Sequence, residues 1–411
     1  MFQSRIDRAA AARLWDFGGI DYLNHGSFGA CPLPVQQFLH EQQQRLLQSP
    51  VDYFIYESAA RVEENRLFWA GLAHADAECV VPVDGATTGV NTVLTSLALR
   101  GYLKPGDEIL ITSHGYNACN NAARAIAAQT GAVVTVATLP FPVAAPEDVT
   151  VAILAAVTPR TRLALVDHIT SISALVLPLA DIVNSLKDRG VETLVDGAHA
   201  PAQLQLGLDA LGAAFYTGNG HKWLCAAPGA AFLYVRPDFH DTIRPLNTSH
   251  GANDPDPRRS ALLKTFAWQG TRDTTPWMTP KVAHATLSTL HKDGLPALMA
   301  DNRELLLQSW RMLLDSLNQQ APAPDSMTGT MATIILPAGD AARLRHDIRQ
   351  RDNIVTQLVP LNGIGGGDGR ALRISAHAYN SAAQFDRLAA ALARALAREK
   401  KGDLLPLPTA A

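Results

Sequence analysis

Thr193-Leu194-Val195-Asp196-Gly197-Ala198-His199 and, further along, Gly220-His221-Lys222-Trp223 are the stretches of this chain that decide its fold. Apolar β-forming residues place Asp196 at the end of a strand, and the small residues after it leave room for a flat ring. Lys222 follows the strand-like run 213–217 and lies in a loop of small and polar residues, where a deprotonated amine could form a Schiff base. Taken singly, such an aspartate is often only a turn residue and such a lysine only a solvated side chain.

Together, Asp196 and Lys222 indicate a site for pyridoxal 5'-phosphate (PLP). A carboxylate can keep the pyridine nitrogen protonated, so that the cofactor withdraws electrons from a carbanion, and the lysine is the covalent anchor. Thr87 and Thr88 follow a strand and open a helix, where free backbone amides would face an anion. Alone, this pair would be read as an ordinary threonine helix cap. In a chain that also has Asp196 and Lys222, it predicts the phosphate site.

Seven motifs occur in order over residues 22 to 380. They are Tyr22-Leu23-Asn24-His25-Gly26-Ser27-Phe28-Gly29, Gly85-Ala86-Thr87-Thr88-Gly89-Val90-Asn91, Asp167-His168-Ile169-Thr170-Ser171, Asp196-Gly197-Ala198-His199, Asn219-Gly220-His221-Lys222-Trp223, Gln269-Gly270-Thr271-Arg272 and Leu372-Arg373-Ile374-Ser375-Ala376-His377-Ala378-Tyr379-Asn380. In this order they resemble fold-type I PLP enzymes, specifically the class V aminotransferase family. The first and fifth motifs are most similar to its isopenicillin N epimerase-like branch.

The resemblance implies roles for individual residues. The catalytic residues would be Lys222, Asp196 and Tyr116, with Tyr116 stacked on the cofactor ring and His114 as the reserve candidate for that place. The phosphate would lie at Ala86, Thr87, Asn219 and His221, with Thr88 beside them, and the ring hydroxyl near Ser171 and His199. Thr271 would reach the phosphate of a neighbouring subunit, which predicts a homodimer with shared active sites.

Arg373 is the expected clamp for a substrate carboxylate, because its planar fork can bind both carboxylate oxygens. Without the surrounding motif, a surface ion pair would be the commoner fate of such an arginine. Asn24 and His25 are expected to line the substrate pocket, with a helix-connecting loop as the alternative.

A missing cysteine narrows the class of reaction that the sequence predicts. Desulfurases of this family carry a mobile cysteine shortly before the strand of Arg373, whereas this sequence has no cysteine after Cys225. The expected function is therefore PLP-dependent chemistry at the Cα of an amino acid, of the isopenicillin N epimerase type. A carbon–sulfur lyase or an aminotransferase of the same fold is the alternative, and a non-catalytic PLP-binding scaffold is a more distant one.

The composition argues against a protein that binds nucleic acid, spans a membrane or is secreted. The 411 residues carry a net charge of −3 without a basic block, so nucleic acid is not an expected partner. No apolar run approaches the ~20 residues that span a bilayer, and charged residues interrupt the first 30 positions, so neither a membrane span nor a signal peptide is expected. The four cysteines, Cys31, Cys79, Cys119 and Cys225, lack the spacing of a metal site and favour a reduced, cytoplasmic protein.

Short apolar runs alternate with helix-length segments, which predicts an α/β fold with a mostly parallel sheet sandwiched by helices. Strands are expected at 79–83, 108–112, 132–137, 163–167, 192–196, 213–217 and 230–235, with helices at 87–100, 117–130, 147–155 and 179–189. A smaller α+β C-terminal domain would have strands at 331–336, 354–358 and 371–376, and helices at 340–351 and 382–400. Segment 247–260 is an expected loop and 363–369 a flexible turn. The predicted division is an N-terminal segment 1–30, a large PLP-binding domain 31–265 and a small domain 266–411.

Overall fold

The computed structural model describes residues 6–361, 363–364 and 369–408. Its strands are β1 (Asp21–Tyr22), β2 (Val80–Val83), β3 (Glu108–Thr112), β4 (Val133–Ala137), β5 (Thr161–Asp167), β6 (Glu192–Asp196), β7 (Phe215–Asn219), β8 (Ala231–Val235), β9 (Met331–Leu336), β10 (Ile354–Val355), β11 (Gln357–Pro360) and β12 (Arg370–Ser375). The α-helices are α1 (Arg8–Ala12), α2 (His25–Phe28), α3 (Leu33–Gln48), α4 (Pro50–Asp52), α5 (Ser58–Ala73), α6 (Ala86–Leu99), α7 (Asn117–Thr130), α8 (Pro146–Ala155), α9 (Leu179–Lys187), α10 (Leu208–Leu211), α11 (Ala261–Ala267), α12 (Pro280–Ser288), α13 (Gly294–Ser316), α14 (Ala341–Asp352) and α15 (Ala382–Lys400).

The central sheet has seven strands in the order β2-β8-β7-β6-β5-β3-β4. Strand β8 pairs antiparallel with both of its neighbours, and the other pairs are parallel. Asp167 at the end of β5 lies in register with Asp196 at the end of β6. The carboxyl ends of parallel strands form the edge at which open α/β sheets bind their ligands. Both aspartates therefore stand at that edge.

The sheet is buried on both faces except at its edge strand β4, where Val133 and Val136 are exposed. All five residues of β3 are buried. Ile109 and Ile111 pack in one core cluster with Val90 of α6, whereas Leu110 packs in another with Ile182 of α9. Successive side chains of a strand point to opposite faces, so a continuous apolar run needs a helix layer on each side. The predicted fold, a mostly parallel sheet sandwiched by helices, is confirmed.

The C-terminal part has its own three-stranded antiparallel sheet in the order β11-β12-β9. Trp310 of α13, Leu344 of α14 and Phe385 of α15 are buried in one cluster with Ile374 of β12. Strand β1 pairs in parallel with β10, so the start of the chain is joined to this C-terminal part.

Most predicted elements are confirmed to within two residues at each end. The strand expected at 354–358 is divided: β10 pairs with β1 and β11 with β12, and buried Thr356 separates them. The segment expected as a loop, 247–260, contains the short 3-10 helix His250–Asn253. Residues 365–368 of the predicted flexible turn lie outside the described residues. The three-domain division remains a prediction.

None of the helices that the structure describes combines the length and apolar character needed to cross a lipid bilayer.

Candidate active site

A cavity of about 330 Å³ opens at the carboxyl ends of the parallel strands, between the large sheet and β11–β12. It brings together nine of the residues expected from the sequence: Ala86, Thr87, Tyr116, Ser171, Asp196, Asn219, His221, Lys222 and Arg373. Residues from segments far apart in the chain thus converge on one site.

Lys222 is buried in this cavity and its environment favours the neutral amine. Burial lowers the pKa of Lys222 to about 8, against the opposing effect of Asp196. Trp223 Nε1–H donates to His199 Nδ1 over 3.3 Å, and His199 Nε2 lies 3.0 Å from Lys222 Nζ. Since burial also holds the pKa of His199 well below its ordinary value, the neutral imidazole carries its proton on Nε2 and donates to the lone pair of the amine. A neutral amine is the nucleophilic form of lysine.

Asp196 presents its carboxylate to the cavity from the end of β6. The backbone N–H of Ala198 donates to Oδ1 over 3.0 Å, and the thiol of Cys119 donates to Oδ2 over 3.1 Å. Burial, and then the charge of Asp196, raise the pKa of neighbouring Asp167 well above its ordinary value. Asp167 therefore holds its proton more strongly than an ordinary aspartate does.

The glycine after Asp196 has a different role from the one expected. A Cβ atom on Gly197 would lie 2.2 Å from Cζ of Tyr216, so the small residue makes room for the Tyr216 ring and not for a ligand. Ala198, the next residue, does line the cavity.

The cavity is suited to an anion at the start of α6. This helix has Gly85 at its N-cap without a capping side chain, so its first amides are open to a ligand. Asn219 Oδ1 accepts from the Ala86 N–H over 2.8 Å, which leaves the amide group of Asn219 as a donor. His221 Nδ1 is buried and has no hydrogen-bond partner among the described residues. Thr88 is not among the residues that line the cavity.

Of the two candidates for stacking on the ring, Tyr116 and not His114 lies at the cavity. The Tyr116 ring centroid lies 5.9 Å from Lys222 Nζ. His114 is buried elsewhere, with Nδ1 2.7 Å from Ser173 Oγ and Nε2 2.8 Å from the Ile364 carbonyl oxygen. Tyr116 is the residue that the sequence predicts first for the stacking position, and His114 is the reserve candidate.

Arg373 is buried and lines the same cavity as Lys222. Its Nη1 donates to the Ser171 carbonyl oxygen over 2.5 Å, and its Nη2 donates to Ser27 Oγ over 2.8 Å and Asn24 Oδ1 over 3.3 Å. Its Nε has no partner, and it forms no salt bridge with any residue the structure describes. A buried guanidinium with neutral partners alone is a strong site for a carboxylate.

The first two residues of the motif 24–29 connect Arg373 to the lysine loop, whereas Ser27 and Phe28 line the cavity. Asn24 orients Arg373, as above, and His25 is fully buried behind Lys222, with Nε2 3.0 Å from the Lys222 carbonyl oxygen and Nδ1 2.7 Å from Tyr379 Oη. Neither side chain is among the cavity-lining residues, and Asn24 and His25 form the start of helix α2, not a connecting loop.

Thr271 is exposed and does not line the cavity of its own chain. The adjacent Arg272 forms a salt bridge with Asp84, next to Gly85 at the phosphate end, and its guanidinium lies 4.9 Å from the ring centroid of Trp277. Thr271 is thus held near the phosphate end while its side chain faces outward.

Sequence reasoning missed several cavity walls: Ser27, Phe28, Ile172, Gln357 and Val359. Phe28 is 78% exposed at the mouth, an unusual position for a large apolar side chain. Gln357 and Val359 belong to β11, whose approach to the site depends on tertiary packing. Ser27 and Phe28 belong to the first motif, and that membership was the signal available from the sequence.

These residues fit PLP. Orphaned His221 Nδ1 and the start of α6 suit the phosphate, Asp196 suits the ring nitrogen, and Lys222, with its lowered pKa, would supply the amine that binds the aldehyde carbon. The fold and the site together define a fold-type I PLP enzyme. The family model "Aminotransferase class-V" matches residues 36–388, and the chain belongs to this family.

Three similar proteins are named for two different activities, epimerisation and cysteine desulfhydration. Isopenicillin N epimerase of Streptomyces clavuligerus is 33% identical over 90% of this chain and 93% of its own. The homologous epimerase of Amycolatopsis lactamdurans is also 33% identical, over 90% of this chain and 94% of its own. A probable chloroplastic L-cysteine desulfhydrase of Arabidopsis thaliana is 28% identical over 89% of this chain and 81% of its own.

Solved structures share the fold at lower identity. The cysteine desulfurase CsdA of Escherichia coli superposes with a TM-score of 0.75 at 20% identity, covering 96% of this chain and 97% of that one. The cystine C-S lyase C-DES, in complex with cysteine persulfide, gives a TM-score of 0.76 at 20% identity over 91% and 97% of the two chains.

Proposed function

We propose that this protein moves a proton at the Cα of an α-amino acid or a derivative of one, as an epimerase of the isopenicillin N epimerase type. The observation that carries the proposal is the pairing, in one cavity, of a buried amine of lowered pKa on Lys222 with a buried guanidinium on Arg373 that lacks an acidic partner among the described residues. The 33% identity to two epimerases over 90% of the chain supports the choice of reaction.

Each of these residues has a distinct task. Arg373 holds the substrate carboxylate and so sets the orientation of the Cα–H bond. Lys222 takes the Cα proton at Nζ, which its lowered pKa allows near neutral pH. Asp196 holds a proton on the ring nitrogen. When bound, PLP supplies the electron sink that makes the Cα proton acidic.

A carbon–sulfur lyase is the second candidate. Lys222 is the one amine among the cavity-lining residues that the structure describes, and elimination of a β-substituent needs a single base, whereas epimerisation also needs a proton donor on the other face of Cα. The desulfhydrase relatives fit this reading. A desulfurase mechanism with a cysteine relay is disfavoured, because no cysteine lines the cavity and none follows Cys225.

One experiment separates these functions. The purified holoenzyme is incubated in deuterated water with a panel of L- and D-amino acids, and Cα exchange, product chirality, keto acid and sulfide are followed. Deuterium at Cα with inversion supports the epimerase. Sulfide with pyruvate from cysteine supports the lyase, and keto acid without sulfide supports an aminotransferase. Absence of exchange and of every product, with cofactor bound, would contradict the proposal and leave the scaffold role.

We also propose that the working unit is a homodimer with shared sites. Thr271 is exposed beside the phosphate end, and Leu47, Val51, Ile55 and Tyr56 form an exposed apolar surface on and around α3 and α4. Such a surface is typical of a contact between subunits.

A further inference from the structure

Cys119 lies beside the aspartate that faces the cavity. It is the third residue of α7, its side chain is 1% exposed, and its Sγ lies 3.1 Å from Asp196 Oδ2. Cys119 is not among the cavity-lining residues, so its thiol reaches Asp196 from the protein interior.

Asp196 is consequently held at both oxygens by different donors. The Ala198 N–H binds Oδ1 over 3.0 Å and the Cys119 S–H binds Oδ2 over 3.1 Å. Two donors on two oxygens oppose rotation of the carboxylate about its Cβ–Cγ bond. A thiol is a weak donor, so it restrains the carboxylate while drawing little of its negative charge away from a cationic partner.

The thiol keeps its proton in this environment. Burial, and then the charge of Asp196, raise the pKa of Cys119 far above that of a free thiol. Cys119 is therefore a hydrogen-bond donor and not a nucleophile.

We propose that Cys119 is a positioning residue for the cofactor: its S–H orients the Asp196 carboxylate that receives the protonated ring nitrogen of PLP. The inference rests on the PLP site alone and is independent of which reaction the enzyme catalyses. The competing explanation is that Cys119 merely fills space between α7 and the sheet, as buried cysteines commonly do.

The infrared S–H stretch of the apoprotein distinguishes the two explanations. The Cys119 band is assigned as the component lost in Cys119→Ala, or, where that variant does not fold, in Cys119→Ser. We expect the Cys119 S–H band at the low frequency of a thiol that is hydrogen-bonded to a carboxylate. Asp196→Asn should move a thiol band to higher frequency in otherwise wild-type protein, because a neutral oxygen is a weaker acceptor. No shift of any thiol band in Asp196→Asn would overturn the proposal.

Cofactor affinity provides the second readout, measured by titrating apoprotein with PLP. Cys119→Ala should weaken binding by roughly three- to tenfold, the usual worth of one hydrogen bond. Cys119→Ser keeps a donor and should recover part of that loss. Cys79→Ala, at an equally buried cysteine outside the cavity, should bind as wild type does. Wild-type affinity in Cys119→Ala, or equal losses in the alanine and serine variants, would show that the side chain only fills space.

Discussion

At the scale of single residues, the site is organised by the protonation states of buried groups. The pKa of Lys222 is lowered to about 8, that of His199 is well below and that of Asp167 well above its ordinary value, and Arg373 has no acidic partner among the described residues. Each state follows from burial combined with the nearest charge. Two of them can be tested without knowing the substrate.

Lys222 should attach PLP in a pH-dependent way. Its pKa is lowered to about 8, so the fraction of free amine rises as the pH rises through that value. The rate at which apoprotein incorporates PLP should therefore increase with a midpoint near pH 8, as measured by stopped-flow absorbance. Borohydride followed by peptide mapping should place the cofactor on Lys222. Label on another lysine would contradict the assignment. Lys222→Ala should retain weak PLP binding and lose turnover by several orders of magnitude.

Asp167 should make the apoprotein less stable as the pH rises. Its pKa is raised in the folded state, so the unfolded chain releases this proton first and stability is lost from about pH 4 upward. Asp167→Asn, which cannot ionise, should raise the urea midpoint at neutral pH and have little effect at acidic pH. Asp188→Asn, at an exposed position, is the control. An equal gain at both pH values would mean that ionisation of Asp167 is not the cause.

At the scale of elements, the sequence predicted what local pattern determines and missed what distant partners determine. The bounds of β3, β6, β9 and α7 were predicted without error, because apolar runs, charged flanks and a glycine cap mark them. The break at Thr356 was missed because β10 and β11 pair with strands in different parts of the chain. Lys222, Asp196 and Arg373 were found through motifs, whereas Phe28 and Val359 reach the cavity only through packing. His25, expected at the pocket, packs behind Lys222.

The short helix α2 ends at a glycine that contacts the lysine loop directly. Gly29 has φ +77°, and a Cβ there would lie 1.9 Å from the His221 carbonyl oxygen. Gly19 also has φ +77° but has nothing within 4 Å of its Cβ position.

Comparing Gly29→Ala with Gly19→Ala tests the contact with the lysine loop, because both glycines have φ +77° and only Gly29, which also has ψ 173°, meets neighbouring atoms. Gly19→Ala should cost about 1–2 kcal/mol, the penalty of a left-handed alanine. Gly29→Ala should cost about 1–3 kcal/mol more and also reduce PLP occupancy, because the lysine loop must move. Urea unfolding and cofactor absorbance measure both effects. Equal behaviour of the two variants would show that the contact with His221 is unimportant.

At the scale of the whole molecule, the proposed dimer predicts complementation. Lys222→Ala and Thr271→Trp should each be inactive, the second because its bulk blocks the phosphate site of the partner. Mixed dimers would then have one site with both defects and one with neither. Equal mixing with random re-pairing should restore roughly a quarter of wild-type activity, since about half the dimers are mixed and each has one intact site of two. If mixed dimers form and activity stays absent, the sites are not shared.

The pairing of β1 with β10 also constrains when the first part of the chain can fold during synthesis. Asn24 is synthesised 349 residues before Arg373, from which its side chain accepts a hydrogen bond. The segment around β1 also pairs with Ile354 and contacts Tyr379, which are similarly distant along the chain. During translation, this early segment therefore cannot reach its final contacts until residues 354–379 have been made.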